Sequence, residues 1–268
     1  MITTWFVGYL AAGVISGLMA GLLGVGGGII LVPILVMIFM ATGLFPDMIL
    51  MKVALATSMS AIMFTSVSSM RMHHRLGNVL WPVVRSIVPG LFIGTFLGTF
   101  VVRMVSPTVL TWVFVAFVLY ISINMFLNLK PKPSRCLPGK FGLGVFGVVV
   151  GGLSVLLSAG GGFLTVPFLS WCNVDMRKAI GTSAALGFPI AVFGTLGYVI
   201  SGWSKTDLLP YCLGYVYLPG MFGIVLMSVL FAPVGATLSQ RLPVTILKRI
   251  FAVMLIITAL KMLHSLLL

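Results

Sequence analysis

The sequence predicts an all-α polytopic membrane protein built from two inverted five-segment repeats with glycine-broken helical hairpins. Three observations lead to this prediction: an extreme composition, ten apolar segments, and a triple-glycine motif present in each half. Of the 268 residues, 60% are hydrophobic and 7% are charged, and the mean hydropathy is +1.23. Such a chain offers too little polar surface for a soluble domain. The long apolar runs lack the alternation of barrel strands, which indicates helical spans.

The apolar segments divide five and five around a basic, proline-rich linker. We expect an N-terminal transmembrane repeat over residues 1–129, a cytoplasmic linker over 130–140 and a C-terminal transmembrane repeat over 141–268. The first run lacks the early positive region and cleavage pattern of a signal peptide, so we interpret it as a retained helix. The segments lie at about residues 4–22, 29–45, 51–70, 81–102 and 107–127, then 141–157, 163–172, 177–200, 208–237 and 244–266.

A glycine motif in the first half returns in the second. Residues 22–33 read LLGVGGGIILVP and residues 156–167 read LLSAGGGFLTVP, so each copy has a proline five residues after the last glycine. The offset between copies is 134 residues at the glycines (28 to 162), 125 at the Thr-Ser motifs (57 to 182) and 136 at the later prolines (107 to 243). Similar offsets at three places indicate duplication.

An odd number of segments in each half places the two halves in opposite orientations in the membrane. This holds whether the first two segments of each half cross fully or form a re-entrant hairpin, which the sequence leaves open. The segment over 163–172 is too short to span alone. This favours paired half-length helices, at least in the second half.

Basic residues predict which side faces the cytoplasm. The chain has 16 basic and 3 acidic residues, and we attribute the net charge of +13 mainly to loops that face anionic lipid rather than to nucleic acid binding. Cytoplasmic loops are enriched in Lys and Arg, so the larger basic set is assigned to the cytoplasm and both termini to the other side. The larger set is Arg71, Arg75, Arg85, Lys130, Lys132, Arg135, Lys140, Arg177, Lys178, Arg241, Lys248 and Arg249; the smaller set is Lys52, Arg103, Lys205 and Lys261.

The glycine motifs predict an anion site. Glycine breaks an apolar helix, and broken backbone inside the bilayer is tolerated where it lines a cavity. A helix that begins after the break directs free N–H groups and its positive dipole end toward the glycines. We expect both breaks to converge near the midplane and to bind a small oxyanion with nearby hydroxyls. The expected ligands are Gly26, Gly27, Gly28, Thr57, Ser58, Ser158, Gly160, Gly161, Gly162, Thr182 and Ser183.

These ligand assignments compete with structural interpretations. Serine and threonine in membrane helices often bond a carbonyl of their own helix, and glycine allows close helix packing. Recurrence of the Thr-Ser pair in both halves strengthens the ligand role and leaves both interpretations open. Gly90, Gly94 and Gly98 have packing spacing, and they serve either internal packing or a homodimer.

Five basic side chains are candidates for the vestibules. Lys52 and Arg177 open the two Thr-Ser motifs and could gather anions at opposite mouths. His73 and His74 are expected in a solvated cytoplasmic loop that meets lipid phosphates or concentrates anions. Arg85 lies four residues into an apolar segment, where it either snorkels to the interface or reaches into the vestibule.

Acidic and catalytic residues are scarce. The chain has no glutamate, and its three aspartates lie near segment ends. Intramembrane carboxylates usually carry coupling ions, so we expect passive movement driven by the membrane potential and the concentration gradient. Three scattered cysteines without metal spacing predict no metal and no cofactor. No general base accompanies a serine or cysteine within a span, so we do not expect an enzyme.

The segments GLLGVGGGIILVPIL, ALATSM and HHRLGNV, with their weaker second copies, resemble the sulfite/organosulfonate exporter family, TauE/SafE, over nearly the whole chain. The resemblance implies a bacterial inner-membrane permease that exports a small sulfur-containing oxyanion, with the repeated motifs lining its path. The second copy departs from the pattern by placing Ser158-Ala159 where the first has Gly24-Val25. Two alternatives stay open: an importer of a related anion such as thiosulfate, and a non-transporting membrane assembly subunit.

Overall fold

The computed structural model describes residues 2–24, 26–127, 136–203, 211–241, 252–253, 255–257 and 259–263. The predicted division into two repeats and a linker stays a prediction, because residues 128–135 and the basic residues Lys205, Lys248 and Arg249 lie outside this part. Within it, nine helices and one short hairpin are bounded as follows, and the described residues after 251 are also helical. They are α1 Ile2–Leu23, α2 Gly28–Thr42, α3 Asp47–Arg75, α4 Trp81–Met104, α5 Pro107–Phe126, α6 Lys140–Leu157, α7 Gly162–Trp171, α8 Met176–Gly202, β1 Cys212–Leu213, β2 Val216–Tyr217 and α9 Leu218–Arg241.

Helix lengths confirm the all-α polytopic membrane fold. In the part of the chain that the structure describes, seven helices are long and apolar enough to cross a bilayer. α2 and α7 have 15 and 10 residues. They are about 22 Å and 15 Å long, which is less than the apolar core of about 30 Å. Each half therefore contains one helix that is too short to span the membrane, directly after its glycine motif.

The start of the ninth segment differs from its prediction. The apolar run predicted a helix from about residue 208, whereas residues 211–217 form a turn and an antiparallel hairpin in which Cys212 pairs with Tyr217. Gly214 has a left-handed φ of 59° at the tip of this hairpin, which a continuous helix does not accommodate. α9 then begins at Leu218, and Pro219 fits its first turn because the N–H there needs no helical partner.

Helix packing follows the duplication. α1 packs along α9, α4 packs along α6, and α3 packs against α8 in the centre. Exchanging each helix with its counterpart in the other half converts the first pair into the second. The counterparts α3 and α8 run antiparallel, because Gly194 lies against Met59 while Gly187 lies against Ser66. Inverted halves predict antiparallel counterparts of this kind, and the inversion itself stays a prediction.

The glycine stripe of α4 packs inside the chain. A Cβ atom on Gly90 would overlap the carbonyl oxygen of Gly144, and one on Gly94 would overlap that of Val148. One on Gly98 would lie 3.0 Å from the carbonyl oxygen of Gly152. These residues let α4 and α6 approach closely and in parallel. Between the two roles that the sequence left open, the structure therefore uses the stripe for an internal helix contact.

We expect Gly94→Ala to destabilise the protein by about 1–3 kcal/mol, because the added methyl group forces α4 away from the Val148 carbonyl. Gly152→Ala is a matched control, since its methyl group would lie 3.5 Å from the Gly94 carbonyl oxygen, an ordinary contact. The midpoint of thermal unfolding, measured on each purified variant in detergent, reports the stability of both. Equal midpoints for the two variants would show that the α4–α6 contact yields easily.

Candidate functional site

The first hairpin connects α1 to α2. Its glycines have left-handed backbones, with φ of 65° at Gly24, 78° at Gly26 and 76° at Gly27. Residues with a side chain rarely adopt these angles, which explains the glycine-rich sequence at this reversal. The chain turns back along α1, because Gly27 lies against Ser16, well before the end of that helix.

The second hairpin, between α6 and α7, has the same backbone geometry. Gly161 precedes α7 with φ 76° and ψ −12°, and Gly27 precedes α2 with φ 76° and ψ −8°. Ser158 ends α6 with a left-handed φ of 45°, at the position that Gly24 occupies in the first copy. The duplication in sequence is therefore also a duplication of backbone shape, including the place where the second copy departs in residue type.

The two hairpins contact each other through their glycines. A Cβ atom on Gly26 would lie 2.9 Å from the Cα of Gly160, and one on Gly28 would overlap the carbonyl oxygen of Ser158. The backbones approach more closely than side chains would allow. Ile62, at the middle of α3, packs against both Gly26 and Gly28. The contact thus lies halfway along the central helices.

Both short helices direct their N-termini toward this contact. No side chain caps α2 at Gly27 or α7 at Gly161. The first N–H groups of a helix have no partner within it and carry the positive end of its dipole. The acidic residues that the structure describes lie elsewhere: Asp47 is in the first turn of α3, and Asp175 caps α8. Two positive helix ends therefore meet without a carboxylate in either hairpin.

Thr57 and Thr182 make equivalent hydrogen bonds. The N–H of Tyr217, just before α9, donates to Thr57 Oγ1 over 3.0 Å, and the N–H of Leu80, just before α4, donates to Thr182 Oγ1 over 3.0 Å. Both threonines are completely buried. A hydroxyl can accept and donate, and no hydrogen bond among the described residues uses the proton of either hydroxyl. Each threonine thus holds a loop, and its hydroxyl proton stays unused among the described residues.

The three candidate serines already donate their hydroxyl protons to backbone carbonyls. These bonds do not follow the expected pattern within one helix, since they join the hairpins to α3 and α8. The serines therefore fix the positions of the hairpin backbones. Ser58 donates to Gly28 O over 3.4 Å, Ser183 to Gly24 O over 2.9 Å, and Ser158 to Leu55 O over 3.0 Å.

Sequence reasoning missed two buried hydroxyls beside the second hairpin. Ser154 Oγ and Thr165 Oγ1 are completely buried and have no hydrogen-bond partner in the described part of the chain. Ser154 Oγ lies 3.7 Å from the position of a Cβ atom on Gly161. Unpaired buried hydroxyls are rare, and a polar ligand would satisfy them. Their signal in the sequence is helical spacing, since Ser154 is one turn before Ser158 and Thr165 one turn after the glycines.

An aromatic cluster packs behind the loop that Thr57 holds. The ring centroid of Tyr217 lies 5.7 Å from that of Phe39 and 5.4 Å from that of Phe45, both in edge-on geometry. Such pairs stabilise a packed loop by about 0.5–1.5 kcal/mol each beyond their buried area. The Thr57 bond and these rings together anchor the hairpin before α9.

Lys52 and Arg177 lie at opposite ends of the central helix pair. Each is near the N-terminus of its helix, and α3 and α8 run antiparallel. Lys52 is half-buried, whereas Arg177 is exposed and donates from Nη2 to the carbonyl oxygen of Gln240 over 3.4 Å. The two cations are therefore separated, and neither belongs to the hairpin contact.

The expectation that His73 and His74 lie in a loop is wrong, and the expected exposure to solvent holds for His74 but not for His73. Both belong to the last turn of α3, because a helix that leaves the apolar interior continues through polar residues. His73 is completely buried, with Nε2 2.9 Å from the carbonyl oxygen of Gly21, so Nε2 donates. His74 is exposed and accepts a hydrogen bond from Trp81 Nε1 over 3.2 Å. His73 joins α3 to α1 rather than facing solvent.

Arg85 lies apart from the hairpins. It is exposed and lines a groove between α4 and α6, and no residue of either glycine motif lines that groove. Of the two roles that the sequence left open, this position fits an interfacial cation rather than one that reaches toward the glycines.

Metal-binding groups are not assembled in the described part of the chain. No three His, Cys, Asp or Glu residues there are close enough to hold an ion. Cys136 is exposed, while Cys172 and Cys212 are buried at separate places. Burial raises the pKa of the Cys212 thiol to about 12, so this thiol stays protonated at neutral pH.

The fold and the site define a class of protein. In the described part of the chain, seven helices of spanning length accompany two shorter helices whose N-termini meet at broken, glycine-lined backbone. Such an arrangement is typical of membrane transporters, which place broken helices at their substrate path. The chain is an integral membrane protein, and the bacterial inner membrane fits its composition.

The chain belongs to the family described as sulfite exporter TauE/SafE, which matches residues 9–262. This confirms the resemblance found in the sequence motifs. The members of this family that it matches are transporters rather than enzymes.

Three relatives have names of the same kind. A probable membrane transporter protein of Haemophilus influenzae is 33% identical over 258 residues, which cover 94% of this chain and 96% of the relative. One from Methanocaldococcus jannaschii is 25% identical over 87% of this chain and 86% of its own length. YunE of Bacillus subtilis, another probable membrane transporter protein, is 26% identical over 74% and 79%. No solved structure matches significantly.

Proposed function

We propose that this protein exports a small sulfur-containing oxyanion, sulfite or an organosulfonate, through a site between the two glycine hairpins. The observation that carries the proposal is the contact between Gly26 and Gly160, where the uncapped N-termini of α2 and α7 meet. Helix N-termini and exposed glycine backbone bind anions because their N–H groups and dipoles favour negative charge.

The residues around this contact supply donors but no fixed positive charge. Thr57 and Thr182 each precede a serine that bonds a hairpin carbonyl, and their hydroxyl protons are unused among the described residues. Ser154 and Thr165 are unpaired beside the second hairpin in the same part of the chain. Hydrogen bonds to an anion contribute about 1.5–3 kcal/mol each. Several donors without a cation would bind an oxyanion selectively yet release it quickly enough for transport.

Two hydroxyls without a hydrogen-bond partner in the described part of the chain, those of Ser154 and Thr165, lie beside the second hairpin. At the repeat offset of 134 residues, Ser154 corresponds to Ala20 and Thr165 corresponds to Leu31. We therefore expect the sulfonate or sulfite oxygens to lie against α7.

The sulfur-containing substrate rests on the family description, whereas the names of the relatives specify only membrane transport. Export follows from the electrical gradient. An inside-negative potential drives an anion outward by about 2.3 kcal/mol per charge per 100 mV, and a dianion by about twice that. The absence of glutamate from the sequence leaves few groups to couple an ion gradient.

Proteoliposomes that contain the purified chain test this function. We expect an imposed potential of either sign to raise the flux of sulfite or sulfoacetate. The flux should run toward the positive side of the membrane, because both substrates are anions. Flux that requires a proton gradient at zero potential would contradict passive movement. A panel of sulfite, sulfate, thiosulfate, sulfoacetate, taurine and lactate, measured as thermal shift and flux, identifies the substrate. If the flux of every anion is no greater in proteoliposomes than in empty liposomes, the result would favour a non-transporting assembly subunit.

A further inference from the structure

A surface groove separate from the hairpins runs between α4 and α6. Its volume is about 1100 Å³, and most of its lining is apolar, including Val83, Ile93, Val145 and Val148. Ile93 and Val145 are each 51% exposed, so the groove opens to the side of the helix bundle. On a membrane-spanning helix pair, this side faces lipid.

The mouth of the groove is positive. Arg85 and Lys140 line it, both are exposed, and no acidic residue is among its lining residues in the described chain. α4 and α6 run in parallel, so both of their N-termini, with positive dipole ends, lie at this same end. The excess of basic residues assigns this end to the cytoplasmic side, where anionic lipids are enriched.

The corresponding surface of the other helix pair has no such cations. Arg85 is the fifth residue of α4, and the fifth residue of its counterpart α9 is Phe222. Lys140 of α6 corresponds to Phe6 of α1 at the repeat offset of 134 residues. Phe222 is 61% exposed and Phe6 is 37% exposed. One end of the duplicated fold thus carries two cations where the other carries two aromatic rings, a difference that the duplication alone would not produce.

We propose that the groove between α4 and α6 binds one anionic phospholipid. Its phosphate pairs with Arg85 and Lys140, and one acyl chain lies along the valine and isoleucine wall. Arginine and lysine are suited to phosphate, and the close α4–α6 contact at Gly90 and Gly144 forms the floor under the chain.

Native mass spectrometry of the full-length protein in detergent tests this site with phosphatidylglycerol and phosphatidylcholine of identical acyl chains. Each basic residue near an anionic lipid contributes about a fivefold gain in affinity. We expect one phosphatidylglycerol to bind roughly 25-fold more tightly than phosphatidylcholine. The double variant R85Q/K140Q should lose this preference. R71Q/R75Q, which removes the same charge from exposed positions outside the groove, should retain it.

A second variant tests the acyl chain. A Cβ atom on Gly144 would meet only the carbonyl oxygen of Ser86, at 3.9 Å, so Gly144→Leu would fill the groove without a clash at Cβ. We expect it to weaken both lipids while the thermal midpoint stays unchanged. Equal binding of the two lipids by the unmodified protein would overturn the proposal. So would retained preference in R85Q/K140Q, or displacement of phosphatidylglycerol by inorganic phosphate as readily as by phosphatidylglycerol itself. Disulfide-linked dimers formed by V145C in a Cys136→Ser background would also overturn it, because they would show that a second copy covers the groove.

Discussion

Gly27→Val and Gly161→Val should each reduce anion flux by about a hundredfold or more. Both residues have φ of 76°, which a β-branched residue adopts only under strain. The new Cβ atom would lie 2.6 Å from the carbonyl oxygen of Ser16 in the first variant and 2.6 Å from Ile190 Cδ1 in the second. Moving the hairpins displaces the N–H donors, and the loss of two hydrogen bonds to an anion corresponds to about this factor.

Sulfite efflux from proteoliposomes measures this effect, and Gly43→Val provides the matched control. Gly43 ends α2 with a left-handed φ of 60°, and no atom lies within 4 Å of its Cβ position. This variant therefore introduces similar backbone strain without a clash and away from the hairpin contact. We expect its flux to stay close to that of the unmodified protein. If Gly27→Val and Gly161→Val transport as well as Gly43→Val does, the hairpins do not form the site.

Thr57→Val and Thr182→Val should each reduce flux by about tenfold or more. Either change leaves a loop N–H, that of Tyr217 or of Leu80, without its acceptor, at a cost of about 1–3 kcal/mol. It also removes a hydroxyl proton from the proposed site. Flux and thermal unfolding measured together separate the two effects, because a purely structural role would lower the unfolding midpoint without changing the concentration dependence of flux.

Three further variants test this interpretation. Thr57→Ser and Thr182→Ser keep the hydroxyl and should restore most of the flux. Thr95→Val removes an equally buried hydroxyl that bonds within its own helix, to Leu91 O over 2.8 Å, and should leave flux nearly unchanged. A loss of flux in the Thr95 variant as large as in the others would assign the effect to general destabilisation.

The helices and their breaks could be predicted from the sequence because each leaves a local signal. Apolar runs mark the spans, and a triple glycine marks a place where only glycine reaches φ near 76°. The family could be recognised from the same motifs. Their repetition also predicts that the two breaks have the same shape, which Gly27 and Gly161 show in their nearly identical dihedral angles.

Partners of the hydroxyls could not be predicted, because they come from distant parts of the chain. Thr57 accepts from a residue 160 positions away, and Thr182 from one 102 positions away. His73 is polar in sequence, yet α1 packs over it and supplies the Gly21 carbonyl. Hydropathy describes a residue's preference for its surroundings and contains no information about which distant segment covers it.

The pairing of α1 with α9 has a consequence for the order of assembly during synthesis. α1 ends at Leu23 and α9 begins only at Leu218, so the first helix leaves the ribosome long before its partner exists. Its small-residue face, formed by Gly13, Gly17 and Gly21, lies in the bilayer without its partner helix until α9 has been synthesised. A nascent chain truncated before α9 therefore lacks the partner of its first helix, and membrane quality-control proteases would meet that exposed glycine face.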